Sequence, residues 1–192
     1  MIPYLVTAML VAGLGVARVL LVAGLGVAHG LEPDHLAAMR TMRTRREYLK
    51  FSVGHSLGFA LISIPIVLLF GLVRELEWAG DIIGLAMGVV LLYEELSGRE
   101  FQLSGGPIGV AQGALALTPS KVLLAVLAAE AGLLLGGVYV ALFVLISSSV
   151  MFFFASAMEF VPPRASKALS VVIAITTIVF ISLTFLGLIR GA

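Results

Sequence analysis

Three histidines make up the whole imidazole content of this 192-residue chain, and two of them lie within one seven-residue segment. Residues 29–35 read His-Gly-Leu-Glu-Pro-Asp-His, so the same segment also carries two carboxylates. Imidazole and carboxylate together are ligands that borderline divalent transition metals favour. The segment therefore predicts a metal site that contains His29, Glu32, Asp34 and His35.

Helix geometry separates these four side chains into two groups. At 100° per residue, His29, Glu32 and His35 fall within an arc of about 120°, so one wall of a cavity can hold all three. Asp34 points about 100° away from His35 and is expected to orient a histidine ring. Pro33 removes an amide donor and clashes with the preceding turn, which predicts a kinked or unwound turn.

The composition places this segment in a membrane protein. Hydrophobic residues make up 60% of the chain, charged residues only 12%, and the mean hydropathy is +1.14. A soluble domain of this size cannot bury so much apolar surface, so lipid must cover it. Ionisable side chains inside a bilayer are costly and usually functional. The alternative is a helix end whose polar groups merely face lipid headgroups.

The same composition excludes several classes of protein. The chain has no cysteine, which excludes a disulfide scaffold, thiol redox chemistry and a thiolate metal site. Its net charge of +1 gives no electrostatic case for nucleic-acid binding.

Apolar runs long enough to cross a ~30 Å hydrocarbon core recur along the chain. None alternates as barrel strands do, so the predicted fold is all-α: one polytopic membrane helix bundle over residues 1–192, with six to seven transmembrane helices. Residues 4–17 predict a short first helix and 19–39 a full, kinked, metal-binding second helix, with a turn near Gly15–Arg18. One unbroken tilted helix is the alternative. The other predicted spans are 50–73, 81–96, 107–131, 137–158 and 168–189.

The charged connections predict the orientation of the bundle. The connection 40–50 carries five basic residues and one acidic residue, so it is expected in the cytoplasm. By the same rule the connections 97–106 and 159–167 are inside and 74–81 is outside. The predicted location is therefore the plasma or inner membrane, with several crossings.

The third histidine, His55, begins the next span after the basic connection. That span is an antiparallel neighbour of the helix carrying residues 29–35, so His55 should lie at a similar membrane depth. We therefore expect His55 to join the metal site, although a lone histidine on an apolar helix is often only a hydrogen-bonding residue.

The run 107–131 contains an interruption at Thr118–Lys121, because Pro119 cannot continue the helical hydrogen bonding. Two interpretations stay open for it. The run is either a broken helix that faces a transport pathway, or two short helices with Lys121 extending to the membrane surface. Glu94, at the end of the preceding span, is expected to face water.

Two of these motifs resemble a known family. The segment H-G-L-E-P-D-H at 29–35 resembles the H-x-x-x-x-D-H signature of the nickel/cobalt transporter family, and V-G-H-S at 53–56 is similar to its second motif, L-G-H. The chain looks most like the compact branch associated with urease accessory membrane proteins. The resemblance implies a permease for Ni²⁺ or Co²⁺. The metal-site residues that it implies are His29, Asp34, His35 and His55, with Glu32 as a further ligand.

The leading functional hypothesis is a secondary transporter for Ni²⁺ or Co²⁺ with no enzyme activity and no prosthetic group. Histidines near their ordinary pKa of ~6.5 must lose protons to bind metal, so uptake should weaken in acid. One alternative is an accessory subunit that binds metal and passes it to a partner. Another is an intramembrane metalloenzyme, which the lack of an H-E-x-x-H motif disfavours. The expected partners are the lipid bilayer and a divalent metal ion, with a second copy or a metal-delivery protein left open.

Overall fold

The computed structural model describes residues 2–42, 44–65, 73–99 and 103–186. Across these residues all regular secondary structure is helical, which confirms the all-α prediction, and a π-helical turn, Phe59–Ser63, continues the third helix. The seven α-helices are α1 (Ile2–Gly30), α2 (Pro33–Arg40), α3 (Arg45–Gly58), α4 (Val73–Ser97), α5 (Gly105–Leu115), α6 (Pro119–Met158) and α7 (Pro163–Phe185).

Two of these helices are long and apolar enough to cross a membrane. They are α6 and the segment Arg164–Thr184 of α7. The segment Gly15–Gly30 of α1 meets the same test together with α2, and the two are bent by 45° relative to each other. Within the described ranges the chain therefore has two or three helices of spanning length and composition, as expected of a membrane protein.

The bend in the first span lies at a different place from the predicted turn. The turn expected near Gly15–Arg18 is wrong, because α1 continues unbroken through these residues. Glycine lowers helix propensity but keeps its amide donor, so a helix can pass through it. The chain leaves the helix only after Gly30, and Pro33 then starts α2, where its missing amide costs no hydrogen bond. The expected kink at the histidine segment is confirmed.

Helices α3 and α5 pack in parallel, main chain against main chain. Three glycines of α5, four residues apart, each lie against a carbonyl of α3, and those carbonyls are also four residues apart. A Cβ at any of the three glycines would collide with the carbonyl, so only glycine permits this approach. The pairs are Gly105 with Glu47, Gly109 with Phe51, and Gly113 with His55.

Helix α6 is divided at Gly132. This residue has φ 78° and ψ 175°, a conformation outside the helical region that favours glycine. Beyond it the chain folds back, because Gly136 lies against the main chain of Ala128. Eight residues of straight helix would instead separate the two by about 12 Å. Helix α6 therefore has two parts, 119–131 and 133–158.

Three connections meet at one end of the bundle, and they are the three that the charge distribution predicts to share one side of the membrane. The joining contacts are Arg45 Nε to Glu159 Oε2 at 2.8 Å, the Gly105 amide to Glu47 Oε2 at 2.7 Å, and Arg40 Nη2 to Ser166 Oγ at 2.6 Å. Hydrogen bonds from the Lys50 ammonium and the Gly105 amide hold the pKa of the partly exposed Glu47 carboxyl below its usual range.

Candidate metal centre

The break between α1 and α2 turns the histidine segment into the interior of the bundle. Helix α1 ends one residue after His29, and Glu32 precedes the first turn of α2 with an extended backbone (ψ 138°). Asp34 and His35 then follow in that first turn. His29, Asp34 and His35 are at most 5% exposed, and the Glu32 side chain is 18% exposed. The break between α1 and α2 therefore brings four ionisable groups together in one buried site.

The three histidines converge on one point. One ring nitrogen from each of His29, His35 and His55 lies within 4.8 Å of the other two. His29 Nε2 is 3.1 Å from His55 Nε2, and the rings of His35 and His55 lie edge to face with centroids 4.3 Å apart. The prediction that His55 reaches the 29–35 segment is therefore confirmed.

The ring of His35 is held in an orientation suited to a ligand. Its Nδ1 donates to the main-chain oxygen of His29 at 2.9 Å, and a carbonyl can only accept, so the neutral ring keeps a lone pair on Nε2. Nε2 of His35 and Nδ1 of His55 are buried without a hydrogen-bond partner among the described residues. A buried ring nitrogen without a partner is costly, and a bound cation would satisfy the lone pair on His35 Nε2.

The carboxylates form a second group that shares His35 with the first. One oxygen each of Glu32 and Asp34 lies within 4.8 Å of a His35 nitrogen and of each other. Glu32 Oε2 is 2.9 Å from His29 Nδ1, and Asp34 Oδ2 is 3.8 Å from His35 Nε2. The helical wheel placed Asp34 away from the other three groups unless Pro33 unwinds the turn. The chain does leave the helix between His29 and Asp34, and Asp34 lies beside Glu32 and His35. All five predicted site residues therefore lie together.

Two further polar residues belong to this centre and were not predicted. Gln112 Nε2 donates to Asp34 Oδ2 at 2.7 Å, while its buried Oε1 has no partner among the described residues. Ser120 Oγ donates to Glu32 Oε1 at 2.8 Å and lies 3.3 Å from His29 Nδ1. The available signal was a lone amide inside an apolar run for Gln112, and the position directly after a helix-breaking proline for Ser120.

Lys121 lies inside the bundle beside this centre. It is fully buried, so the interpretation that it extends to the membrane surface is wrong. Its Nζ donates to the Ala116 oxygen at 2.6 Å and to the Gly113 oxygen at 3.3 Å, and it lies 5.2 Å from the centroid of the Phe59 ring. The ammonium thus caps the carboxyl end of α5 at the break before Pro119, where a positive charge is favourable.

Two apolar clusters enclose the centre. Phe143 stacks on His29 with ring centroids 5.1 Å apart, and the ring centroids of Phe51 and His55 are 5.7 Å apart. We call the first the aromatic cluster: Val22, Phe59, Leu117, Leu124, Tyr139 and Phe143. We call the second the methionine cluster: Ala38, Met39, Met42, Tyr48, Phe51, Met151 and Ala155.

A cavity of about 490 Å³ lies at the end of the bundle where the three connections meet. It is lined by both acidic and basic side chains and shares Met42 and Tyr48 with the methionine cluster. Glu94, expected to face water, is instead only 5% exposed and forms part of its wall. The methionine cluster therefore separates this polar cavity from the histidines.

The described residues offer a divalent cation two overlapping ligand groups: the three imidazoles, or His35 with the carboxylates of Glu32 and Asp34. The amide of Gln112 adjoins the second group through its hydrogen bond to Asp34. Nitrogen and oxygen donors of this kind suit Ni²⁺, Co²⁺ and Zn²⁺ better than Mg²⁺ or Ca²⁺, which take oxygen alone. Comparisons of the chain with protein-family models, with curated proteins and with solved structures find no match.

Proposed function

We propose that this chain is a secondary membrane transporter for a divalent transition-metal cation, Ni²⁺ or Co²⁺. The observation that carries the proposal is the buried group of three imidazoles, in which His35 Nε2 and His55 Nδ1 lack partners among the described residues. Imidazole nitrogen is a preferred ligand of these ions. The resemblance of residues 29–35 and 53–56 to the nickel/cobalt transporter signature favours the same cargo.

The proposed transporter crosses the plasma or inner membrane six times. The break at Gly132 supports this number, because it turns the 40 residues of α6 into two crossings instead of one rod about 60 Å long. The cytoplasmic end is the one with the basic connection 40–50. The six crossings are α1 with α2, the run that begins with α3, α4, α5 with the first part of α6, the second part of α6, and α7.

Transport in this proposal proceeds by alternating access around the break between α1 and α2. A hydrated ion exchanges water for neutral imidazole nitrogens, and the negative carboxylates of Glu32 and Asp34 offset its charge in the low-dielectric interior. The aromatic cluster and the methionine cluster act as the two barriers, and only one opens at a time. The polar cavity beyond the methionine cluster is then the cytoplasmic vestibule.

The decisive experiment measures binding and flux with the same preparation. Purified protein should retain about one Ni²⁺ or Co²⁺ per chain by elemental analysis, as one three-histidine centre implies. Reconstituted into liposomes that enclose a metal-sensitive dye, it should carry the ion across the membrane. His35→Ala should lose both properties. Ser149→Ala is the control, because within the described part of the chain that hydroxyl bonds only to the Leu145 carbonyl of its own helix.

Two results of this experiment contradict transport. Wild-type protein that binds no metal excludes the metal centre. Wild-type protein that binds metal without flux favours the accessory subunit, which needs the same ligands but no second barrier that opens.

The proposed orientation has its own test. The chain contains no cysteine, so Thr44→Cys creates a unique thiol in the basic connection. A membrane-impermeant thiol reagent should label it in inverted vesicles and leave it unlabelled in intact cells. Labelling in intact cells would reverse the orientation.

A further inference from the structure

Lys121 places a positive charge beside the candidate metal centre. A charged ammonium has no lone pair, so it cannot act as a ligand. It interacts electrostatically with the carboxylates of Glu32 and Asp34. Its charge also acts on all three histidine rings. The preceding residue, Ser120, touches both Glu32 and His29. The ammonium is therefore close enough to affect every candidate ligand.

The position of this ammonium is fixed by the turn of α5 that it caps. Moving it away would leave the buried Ala116 oxygen without the 2.6 Å hydrogen bond that it now accepts. The same turn touches the centre at two places: Gln112 donates to Asp34, and Gly113 lies against the His55 main chain. The positive charge and two of the candidate ligands thus share one rigid support.

The balance of formal charge shows what Lys121 does. With neutral histidines, two ionised carboxylates and one ammonium give the empty centre a net charge of −1. A divalent ion then brings the total to +1. Without the ammonium the totals would be −2 and 0. A buried centre that becomes neutral on binding holds a dication more tightly than one that acquires a net positive charge.

We propose that Lys121 limits the affinity of the centre for a divalent cation, so that the bound ion can be released. This inference rests on the proposed function and adds a residue that controls it. A transporter must bind its cargo firmly enough to select it and weakly enough to let it go within each cycle. A centre of three imidazoles and two carboxylates without Lys121 would retain the ion.

The test is to remove the charge and keep a hydrogen-bond donor. Lys121→Gln does both, and its amide can still serve a carbonyl of α5. In calorimetric titrations with Ni²⁺ and Co²⁺, this variant should bind at least about tenfold more tightly than wild type, because one buried repulsion is lost. Lys121→Arg keeps the charge and should stay near wild type. Lys50→Gln removes an equal charge from the exposed connection and is the matched control.

The flux measurement separates this role from a structural one. In liposomes, Lys121→Gln should show a lower KM and a lower maximal rate, because the ion enters readily and leaves slowly. A residue needed only for folding would lower affinity and rate together. Equal or weaker metal binding by folded Lys121→Gln overturns the inference.

The remaining outcomes are also decisive. If Lys121→Gln cannot be purified without metal, Ni²⁺ in the buffers should recover it, since ligand binding stabilises the folded state. Failure of Ni²⁺ to recover it overturns the inference. Absence of metal binding by wild-type protein defeats the proposed function itself, whereas normal wild-type binding with an unchanged Lys121→Gln affinity defeats only the role of Lys121.

Discussion

The interruptions that follow helix α1 and helix α5 face each other inside the bundle. Helix α1 ends ahead of Pro33, and helix α5 ends ahead of Pro119. Each proline occupies the first turn of the helix that follows. A hydrogen bond of 2.8 Å between Ser120 Oγ and Glu32 Oε1 joins them. Each interruption frees main-chain carbonyls that have lost their helical donors.

The two interruptions differ in the side chain that satisfies those carbonyls. At the first, His35 donates through Nδ1 to the His29 oxygen and keeps a lone pair on Nε2. At the second, Lys121 donates to the Ala116 oxygen and keeps a positive charge. The same backbone defect therefore produces an electron-pair donor in one place and a cationic group in the other. The identity of the capping residue decides which.

The largest effect is expected from a substitution that removes the cap of the first interruption. His35→Ala deletes both the donor to the His29 carbonyl and the free Nε2. Its affinity for Ni²⁺ and Co²⁺ should fall by more than about a hundredfold, beyond the range of residues that only support a ligand. His29→Ala should behave in the same way. Calorimetric titration of the purified variants measures this, and unchanged binding in both contradicts the metal centre.

A smaller effect is expected from the carboxylate beside that cap. Asp34→Asn keeps the shape of the side chain and its place next to Gln112 but removes the charge. Metal affinity should fall by about 10- to 100-fold, as for a group that tunes a ligand. Glu95→Gln, which makes the same change in the wall of the distant cavity, should bind as wild type does. A complete loss of binding in Asp34→Asn would make Asp34 a direct ligand.

The support of the second interruption can be weakened without replacing a polar side chain. Gly113→Ala places a methyl group on the main-chain oxygen of His55, and neither side can yield. Overpacking of this kind should lower the free energy of unfolding by about 1–3 kcal/mol. Thermal unfolding in detergent measures the change.

A second glycine of the same helix provides the control for that substitution. A Cβ at Gly106 meets only the Lys50 Cβ, at 3.9 Å. Gly106→Ala should therefore be neutral or slightly stabilising, because alanine favours the helix. Equal destabilisation by both variants would contradict the close packing of α3 and α5.

The smallest expected effect concerns a carboxylate outside both interruptions. The pKa of Glu47 is lowered in the folded state by Lys50 and the Gly105 amide. Its contribution to stability is therefore present above the pKa of the unfolded chain and is lost as pH falls through the lower folded-state pKa. The difference in thermal midpoint between wild type and Glu47→Gln should shrink on acidification. A difference that is independent of pH would show that the hydrogen bonds, and not the charge, carry the effect.

The sequence predicted the local content of the candidate metal centre better than its surroundings. Residues 29–35 could be recognised from their residue types alone, and the position of His55 followed from its depth on a neighbouring span. These predictions succeed because rare ionisable groups in an apolar chain carry information by themselves. The bend at Pro33 was predictable for a similar reason, since proline alters the backbone wherever it stands.

The failures share a physical cause, which is dependence on contacts between distant segments. The turn expected near Gly15–Arg18 rested on the lengths of the apolar runs before and after Arg18, and run length does not show where a helix breaks. Gln112 and Glu94 owe their burial to neighbours that no local pattern shows. The two interpretations of Lys121 could be separated only by the positions of the carbonyls of α5, which a sequence does not give.

The glycine ladder between α3 and α5 determines how the centre can move. Its three contacts repeat at every turn, so the helices could slide only by a whole turn, about 6 Å. A slide by one turn in either direction would break one of the three glycine contacts, and in one direction it would carry His55 past the end of α5 at Leu115. The ladder therefore favours movement of His55 and Gln112 as one rigid body. A conformational cycle can displace this pair against α1 and α2, and every such displacement changes the distance from His55 to both His29 and His35.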